Sequence, residues 1–543
     1  MGSLTGSELL ARSLTSQGMD TLFFLMGGPM LETESACLKL GVRAIDTRHE
    51  QAAAMMAHAY SRTTRRPGVC MGCSGPGTTN LVTGVANAFV DAAPLIAVGG
   101  SSPRVYLGME AFQEIDQVAI MRPITKWAER VLDARRIPEL VATAFRQATT
   151  GRPGPVYLDL PGDVLGEAVD EAHVAFPTRW QPGPRAQGNP AAIADAVAML
   201  ERAERPLIIG GSGVWWSDAA SAFQTFVEAT GIPFYTTPIS RGMVPEDHAL
   251  AFLSARAKAF AEADVLLAVG TRFNYMLQFG RPPRFATGLK VIQVDVNPSQ
   301  LGHNRRVDVP IVGDARAVLE QLAEARGRID RGRYASWVSK LRTLDAEKAA
   351  EMDKQMRTDQ VPIHPLRLCK EVRDFLRRDA ILVVDGQEIL NYGRQSIPTF
   401  APGHRLNSGP FGCMGVGLPF GIGAKVAHPD AQVVVLHGDG SYGINAMEID
   451  TAVRHGIPVL VVISNNGGWT ADPQRSKPGR TLGFTRYDKV AQDFGAHGEY
   501  VEKPHEIRPA LERAWASGKP AVVNVVTDDK ARAQTIRFSA YTT

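Results

Sequence analysis

The sequence predicts an α/β protein of three domains, each built around a doubly wound parallel sheet. Its 543 residues are too many for a single hydrophobic core. Short, β-branched apolar runs alternate with helical stretches, which is the pattern of parallel sheets flanked by helices. A linker rich in Pro, Gly and Arg and a charged helical linker divide the chain, at 176–189 and 328–357. We place the domains at residues 1–175, 190–325 and 360–527, followed by a tail at 528–543 that is a candidate lid.

The composition excludes several classes of function. The chain is 44% hydrophobic and 21% charged, and its net charge of +3 is too small to indicate a nucleic-acid or membrane partner. No apolar run is long enough to span a membrane, and the N-terminus lacks the basic start of a signal peptide. Cys70 and Cys73 form a lone C-x-x-C, which we interpret as core packing because a zinc site needs a second pair. Reduced thiols fit a cytoplasmic protein.

The first domain is predicted to contain strands that end in polar or glycine-rich turns. The strands are expected at Thr21–Leu25, Val42–Asp46 and Val69–Cys73. The turns after them carry Pro29, Glu50 and Ser74. Glu50 leads into a helix of small residues, where a carboxylate is favoured by the helix dipole alone. Glycine-rich turns before helices are common, so none of these turns identifies a site by itself.

The middle domain is predicted to begin with a helix at Ala191–Glu204. Its strands are expected at Pro206–Ile209, Val265–Val269 and Val291–Val294. The turn at Gly210–Gly213 is similar to a dinucleotide-binding turn but lacks the full glycine fingerprint. Arg256 lies in a helical stretch, where an arginine is ordinarily solvated.

The last domain is predicted to contain two buried strands, each followed by a polar turn. The apolar runs Val433–Leu436 and Pro458–Ile463 flank a helical stretch at Ala446–Val453. A right-handed crossover places both turns at the carboxyl ends of neighbouring strands, where open α/β sheets bind ligands. The turns offer the Asp439 carboxylate and the Asn466 amide oxygen. A few hard oxygens suit Mg²⁺ that takes its other ligands from a phosphate, although Asp and Asn also occur as ordinary turn formers.

These turns resemble the motifs of a known family. Gly438-Asp439-Gly440-Ser441, followed by Asn465-Asn466, resembles the signature of thiamine diphosphate enzymes. The segments Arg48–Ala52 and Ser74–Val82 resemble the pyrimidine-binding domain of the acetolactate synthase-like branch. The resemblance covers nearly the whole chain. It implies pyrimidine-binding, central Rossmann-like and diphosphate-binding domains, with thiamine diphosphate and Mg²⁺ as cofactors.

The resemblance also implies roles for individual residues. Glu50 activates the cofactor, because a carboxyl group against its aminopyrimidine promotes loss of the C2 proton. Phe112 and Gln113 lie beside the thiazolium ring and face the substrate. The metal is held by Asp439, Asn466 and the Gly468 carbonyl. The implied cofactor-binding residues are Pro29, Glu50, Ser74, Gly75, Asn80, Gln387, Glu388, Gly412, Met414, Gly438, Asp439, Gly440, Ser441, Asn466 and Gly468.

The middle domain indicates the branch of the family. Thr271–Gly280 and Val291–Asp295 resemble 2-hydroxyacyl-CoA lyases and oxalyl-CoA decarboxylases. Acetolactate synthases carry a different, acidic segment there that accompanies FAD, and its absence argues against FAD. In the CoA branch, Arg256 and Arg394 would face CoA. Glu388 departs from that branch, which has Asn at this position, and a carboxylate beside a diphosphate needs a nearby cation.

The sequence therefore predicts a thiamine diphosphate- and Mg²⁺-dependent carbon–carbon lyase of 2-hydroxyacyl-CoA lyase type. The first alternative is an oxalyl-CoA decarboxylase, although that family has Tyr-Glu in place of Phe112-Gln113. The second is a 2-oxoacid carboligase of acetolactate synthase type, and the third is a non-catalytic relative. One cofactor spans two kinds of domain, and in this family they come from different subunits. We therefore expect a homodimer at minimum, a homotetramer as the full assembly, and an acyl-CoA as the small-molecule substrate.

Overall fold

The computed structural model describes residues 2–327, 329–469 and 474–533. Each of three consecutive regions of the chain forms a parallel sheet, of six, five and six strands. The predicted fold class, three doubly wound parallel-sheet domains, is confirmed. None of the described helices combines the length and the apolar character needed to cross a bilayer.

The N-terminal sheet has the strand order β3-β2-β4-β5-β7-β6, and a short antiparallel pair, β1 with β8, lies beside it. The strands are β1 Ser3–Thr5, β2 Thr21–Phe24, β3 Arg43–Asp46, β4 Gly68–Gly72, β5 Leu95–Ser101, β6 Ala128–Arg130, β7 Pro155–Pro161 and β8 Ala168–Asp170. The helices are α1 Gly6–Ser16, α2 Leu31–Lys39, α3 Glu50–Thr64, α4 Pro76–Asp91, α5 Gln117–Met121, α6 Ile137–Thr149 and α7 Gly162–Gly166.

The central sheet has the strand order β10-β9-β11-β12-β13. Its strands are β9 Pro206–Gly210, β10 Phe234–Thr236, β11 Val265–Val269, β12 Lys290–Asp295 and β13 Val309–Val312. The helices are α8 Pro190–Arg202, α9 Ser212–Trp216, α10 Ala220–Thr230, α11 Arg256–Glu262 and α12 Ala315–Ala325. The predicted charged linker contains the long helix α13, Ala335–Met356, while its first residue, Arg328, lies outside the described residues.

The C-terminal sheet has the strand order β15-β14-β16-β17-β19-β18. Its strands are β14 Ile381–Asp385, β15 Arg405–Leu406, β16 Val433–Gly438, β17 Leu460–Asn465, β18 His497–Val501 and β19 Ala521–Val526. The helices are α14 Pro365–Phe375, α15 Glu388–Ser396, α16 Gly417–Ala427, α17 Asp439–Ile444, α18 Glu448–Arg454, α19 Tyr487–Asp493 and α20 Ile507–Ala516.

Alternation along the strands explains why both faces of these sheets are covered. In β16, Val433 and Val435 pack into one core while Val434 and Leu436 pack into another on the opposite face. Successive side chains of a strand point to opposite faces, so a continuous β-branched run is apolar on both. Helices therefore cover both sides, and ligand access is left to the edge at the carboxyl ends of the strands.

The N- and C-terminal domains of one chain share a core. Helix α3 packs against α16, and the two backbones approach so closely that a Cβ on Gly423 would lie 2.3 Å from the Met56 carbonyl oxygen. At this contact the helices carry residues such as Ala53, Ala57 and Gly423, whose small size permits the close approach. This helix contact fixes the position of the N-terminal sheet relative to the C-terminal sheet.

One predicted element differs from the structure. The helical stretch expected at Ala446–Val453 corresponds to α18, which begins at Glu448, and a separate helix, α17, precedes it from Asp439. The glycine-rich turn is thus the first turn of α17, and its backbone N–H groups have no earlier carbonyl to bond. Asp439 lies at the positive end of this short helix, where a carboxylate is favoured.

Candidate active site

A cleft at the carboxyl ends of β14, β16 and β17 collects most of the predicted C-terminal site residues. We call it the C-terminal cleft. It is lined by Pro365, Gly386, Gln387, Glu388, Ile389, Met414, Gly438, Asp439, Gly440, Ser441, Ser464, Asn466, Gly468, Trp469, Asp528 and Ala531. Of the predicted residues in this domain, Gly412 does not line the cleft and is exposed after a short 3-10 helix.

Asp439 is the buried acid of the C-terminal cleft. Its side chain is 4% exposed, and Oδ2 has no hydrogen-bond partner among the described residues. Burial raises the pKa of this carboxyl to about 6, although backbone N–H groups of Gly440 and Gly468 oppose the shift. A buried carboxylate oxygen without a donor is costly unless it is protonated or paired with a cation.

The atoms around Asp439 that could bind a metal are hard oxygens. The Asn466 side-chain oxygen accepts a 3.3 Å hydrogen bond from Gly468 N and lines the same cleft. A carboxylate, an amide and a backbone carbonyl suit Mg²⁺, which takes oxygen ligands and keeps several non-protein ones. The described residues contain no group of three or more His, Cys, Asp or Glu side chains that could hold a metal. The residues present therefore fit Mg²⁺ together with a phosphate, and not a metal that needs a protein cage.

Two glycines of the C-terminal cleft, Gly440 and Gly468, lie where there is no room for a side chain. A Cβ on Gly440 would lie 2.9 Å from the Trp469 ring, and one on Gly468 would lie 2.1 Å from the Arg480 carbonyl oxygen. Arg475 also donates to the backbone of the loop, at 2.5 Å to the Asn466 carbonyl oxygen. The glycines therefore let the loop pack against Trp469 and the Arg480 backbone where a side chain would collide with them.

Glu388 has a structural partner that the sequence did not reveal. Its carboxylate accepts a 2.7 Å hydrogen bond from the backbone N–H of Ala533 in the C-terminal tail. Burial raises the pKa of Glu388, with that N–H and Arg532 opposing the shift. The described part of the predicted lid, residues 528–533, thus crosses the edge of the cleft, and residues 534–543 lie outside the described part of the chain.

A second cleft lies at the carboxyl ends of the N-terminal sheet. This N-terminal cleft, of about 800 Å³, is lined by Met26, Gly27, Gly28, Pro29, Cys73, Ser74, Ser101, Ser102, Pro103, Tyr106, Met109, Ala111, Phe112, Gln113 and Gly162. Ser74 Oγ donates to Gln113 Oε1 at 2.5 Å. Gly75 has φ +58°, and a Cβ there would lie 2.6 Å from the Gln113 carbonyl oxygen. Phe112 projects outward with 86% of its surface exposed.

Glu50 begins α3 at the side of this cleft. It is 4% exposed, and its Oε2 accepts a 2.9 Å hydrogen bond from Asn80 Nδ2, so two predicted residues are brought together. A Cβ on Gly77 would lie 3.2 Å from Glu50 Oε1 and 2.6 Å from Cys73 Sγ, which places that thiol close to the carboxylate. Of this pair, Cys70 is fully buried in the core as predicted, whereas Cys73 is only half-buried.

The two clefts have no lining residue in common. The predicted residues Pro29, Ser74, Phe112 and Gln113 line the N-terminal cleft, and Asp439, Asn466 and Gly468 line the other. Each sheet thus supplies half of the predicted cofactor site at its own carboxyl edge.

A third, arginine-rich cavity lies between the central and C-terminal domains. We call this cavity of about 800 Å³ the arginine cavity. Its cationic lining residues are Arg241, Arg256, Arg284, Lys348, Arg394 and Arg532. Arg256 begins α11, and burial together with Arg284 and Arg394 lowers its pKa to about 9. Arg256 Nε has no hydrogen-bond partner among the described residues. Arg256 is therefore not an ordinary solvated helix residue, and the cavity favours an anion.

Comparisons with known proteins agree with the folds of all three domains. Family models described as the N-terminal TPP binding domain, the central domain and the C-terminal TPP binding domain of thiamine pyrophosphate enzymes match residues 4–120, 193–322 and 390–525. The chain belongs to the thiamine pyrophosphate enzyme family. The predicted family is thereby confirmed, and thiamine pyrophosphate is another name for the predicted cofactor, thiamine diphosphate.

Three similar proteins are named for different activities. The chain is 39% identical to the acetolactate synthase large subunit of Mycobacterium tuberculosis, over 97% of this chain and 96% of that protein. It is 34% identical to a 2-hydroxyacyl-CoA lyase of Arabidopsis thaliana, over 99% and 98%. It is also 34% identical to an oxalyl-CoA decarboxylase of Escherichia coli, over 97% and 95%. The protein is thus a thiamine diphosphate-dependent enzyme of the group that contains these three activities.

Proposed function

We propose that this enzyme cleaves the C1–C2 bond of a 2-hydroxyacyl-CoA to give formyl-CoA and an aldehyde, or joins these two in reverse. The observation that carries the proposal is the arginine cavity. Its cations outnumber the acidic residues Glu246 and Glu351, and Glu246 is already paired with Arg241. The remaining charge suits a ligand with several phosphate groups, such as CoA, and arginine binds phosphate through paired N–H donors.

The position of the arginine cavity supports a substrate that binds through its CoA group. Helix α15 separates it from the C-terminal cleft: Glu388 lines the cleft, while Tyr392 and Arg394 line the cavity. The tail has the same arrangement, because Ala531 lines the cleft and Ala533 lines the cavity. A substrate anchored by its phosphates in the cavity would therefore have its acyl end beside the cofactor.

The residues of the two clefts have distinct tasks in this proposal. Thiamine diphosphate, when bound, supplies a carbanion that adds to a carbonyl and accepts charge as a carbon–carbon bond breaks. Asp439, Asn466 and the Gly468 carbonyl would hold Mg²⁺ against the diphosphate. Glu50 would hold and move a proton at the aminopyrimidine ring. Gln113, bonded to Ser74, would orient the substrate's polar groups.

We further propose that two chains complete each active site. Large apolar side chains are exposed beside the N-terminal cleft, including Met109 at 68% and Phe112 at 86%. Others are exposed near the C-terminal cleft, including Ile444 at 48% and Met447 at 49%. Exposed apolar patches of this kind mark protein–protein contacts. A homodimer that covers both patches would join the N-terminal cleft of one chain to the C-terminal cleft of another, and a homotetramer would pair two such dimers.

A carboligase that joins 2-oxoacids is the second candidate. It is favoured by the 39% identity to the acetolactate synthase and by the Phe112-Gln113 pair. A panel of formyl-CoA plus an aldehyde, oxalyl-CoA and pyruvate, with product identification by mass spectrometry, separates the candidates. The lyase proposal requires a 2-hydroxyacyl-CoA from the first pair. Turnover of pyruvate alone would support the carboligase instead, and CO₂ with formyl-CoA from oxalyl-CoA would support a decarboxylase.

Binding of the CoA group in the arginine cavity can be tested separately by mutation. Arg256→Met should raise KM for the CoA substrate by about 10- to 100-fold, the usual contribution of a charged hydrogen bond, while kcat changes little. Lys258→Met is the matched control, because Lys258 is an exposed cation on the same helix that pairs with Glu262 outside the cavity. Equal KM values for the two variants would contradict a CoA site in this cavity.

A further inference from the structure

The turn that leads into Glu50 is held by a helix from the other end of the chain. Glu448, the first residue of α18, is 1% exposed. Its two carboxylate oxygens accept the backbone N–H of Arg48, at 3.2 and 3.3 Å. Thr451 Oγ1 donates to the same carboxylate at 2.7 Å, which fixes the orientation of the group. A C-terminal carboxylate thus bonds the backbone two residues before Glu50.

The same helix also holds the start of this turn. Asp46, the last residue of β3, forms a 2.5 Å ion pair with Arg454 Nη1 and a 2.7 Å contact with His455 Nε2. The backbone oxygen of Asp46 accepts from Arg454 Nη2 at 3.0 Å. These contacts are half-buried or exposed, whereas the Glu448 residue itself is buried. The backbone from Asp46 to Arg48 is therefore bonded to α18 at both ends.

The segment before α18 contacts the backbone next to Met414, a predicted cofactor-binding residue. Asn445 Nδ2 donates to the Gly415 carbonyl oxygen at 2.8 Å and lies 3.7 Å from Met55 Sδ in α3. Asn445 is 8% exposed, so these contacts are shielded from water. One corner of the C-terminal domain, residues 445–448, thus touches the backbone beside Met414 and the turn and helix that carry Glu50.

We propose that Glu448 is a positioning residue for Glu50: its carboxylate fixes the 46–49 turn and so sets where the Glu50 side chain points. The proposal rests on the proposed role of Glu50 in proton movement at the cofactor. A carboxylate is an expensive group to enclose here, and burial raises the pKa of Glu448 to about 7. An apolar side chain would bind the two domains together at lower cost, so stability alone does not explain a glutamate at this place.

The test compares Glu448→Ala with Glu448→Gln and with Asp450→Asn. Asp450 is the matched control because it lies on the same helix and pairs with Arg48 and Arg454 without bonding the backbone of the turn. In the cofactor-free protein, amide hydrogen exchange of the peptide that contains Arg48 should speed up in the Ala variant and stay unchanged in the Asn variant. The Gln variant, which keeps one acceptor oxygen, should lie between them.

The second readout is deuterium exchange at C2 of bound thiamine diphosphate. Glu448→Ala should slow this exchange by about 10- to 100-fold, the usual effect of a small misplacement, while cofactor affinity stays within about twofold. An unchanged rate in the Ala variant, or equal slowing in Asp450→Asn, would overturn the positioning role. If the Ala variant does not fold, the Gln variant must slow C2 exchange severalfold, and a wild-type rate there would overturn the proposal.

Glu50→Gln, measured in parallel, separates this inference from the role on which it rests. Slow C2 exchange in Glu50→Gln with a wild-type rate in Glu448→Ala contradicts only the positioning of Glu50 by Glu448. A wild-type rate in Glu50→Gln contradicts the role of Glu50 itself and overturns the positioning proposal with it. The identity of the CoA substrate does not enter either measurement.

Discussion

The two halves of the candidate site satisfy their acidic residues in different ways. Glu50 and Asp439 are equally buried, each 4% exposed at the carboxyl edge of its own parallel sheet. Glu50 accepts a hydrogen bond from Asn80, whereas Asp439 Oδ2 has no partner among the described residues and its pKa is raised to about 6 by burial. The N-terminal acid is thus paired within the protein, whereas the C-terminal acid keeps a free oxygen that would bind the metal under the proposed function.

The local sequence explains this difference. Asp439 begins a short helix, so backbone N–H groups without intrahelical partners lie beside its carboxylate. Glu50 begins a helix of Ala and Met residues that packs against α16, and Asn80 approaches it from α4. An acid in the first setting suits binding of a charged group, and an acid in the second suits a controlled proton transfer.

Removal of the Asp439 charge should have the largest effect. Asp439→Asn keeps the shape of the side chain but leaves the metal and the diphosphate charge unbalanced. We expect cofactor affinity in the presence of Mg²⁺ to fall by about 100-fold or more, with loss of activity. Calorimetric titration with the cofactor measures this, and Asp430→Asn, an exposed acid of the same domain, is the control. Wild-type affinity in Asp439→Asn would remove the distinction between the two halves.

Glu50→Gln should affect chemistry rather than binding. The amide can still pair with Asn80 but cannot donate or accept the carboxyl proton. We expect kcat to fall by about 10²- to 10⁴-fold, the usual contribution of a general acid–base group, with little change in cofactor affinity. Steady-state kinetics and cofactor titration check both parts. If Glu50→Gln loses cofactor affinity while the cofactor-bound enzyme keeps the wild-type kcat, Glu50 contributes to cofactor binding, as is proposed for Asp439, and not to proton transfer.

Glu34 extends the comparison to a buried acid that lies outside both clefts. Its Oε1 has no hydrogen-bond partner among the described residues, and burial raises its pKa from 4.5 to about 7. Because the pKa of Glu34 is higher in the folded protein than in the unfolded chain, Glu34 makes its full contribution to stability below pH 4.5. This contribution is lost as the pH rises to about 7. The free energy of unfolding of Glu34→Gln should therefore increasingly exceed that of the wild type as the pH rises through this range. The difference should reach at most ~3 kcal/mol at higher pH.

Urea unfolding at pH 5 and pH 8 measures the Glu34 effect, and Glu32→Gln, an exposed residue of the same helix, is the control. Cofactor affinity should stay at the wild-type value in both variants. A stability gain in Glu34→Gln that does not grow with pH would contradict a buried, neutral Glu34. A loss of cofactor affinity would show that Asp439 is not the only unpaired acid with a binding task.

Local patterns predicted most of the fold. The strand expected at Val265–Val269 has those bounds in the structure, and the strands of the other sheets begin or end within a few residues of their predicted limits. These runs are β-branched and bounded by turn residues, so periodicity alone identifies them. The helix that begins at Asp439 was missed because a Gly-Asp-Gly-Ser sequence has the composition of a turn.

The parts of the site that could not be predicted depend on residues distant in sequence. Glu388 bonds Ala533 from 145 positions away, and Glu448 bonds Arg48 from 400 positions away. The local pattern at Arg256 predicts a solvated residue, and only the family resemblance grouped it with Arg394; the fold adds Arg284 to the same cavity. No local pattern carries such pairings. The motifs that contain the predicted cofactor residues are short because each fills a single strand-to-helix turn.

The central claim, that complementary halves from two chains form each active site, is tested most directly with hybrid dimers. Glu50→Gln and Asp439→Asn chains carrying different tags are co-expressed, and the hybrid is purified through both tags. One of the two sites in this hybrid then contains an intact Glu50 and an intact Asp439, so we expect about half of the wild-type activity although each parent is nearly inactive. A hybrid as inactive as its parents would contradict the claim and place both residues of each site in one chain.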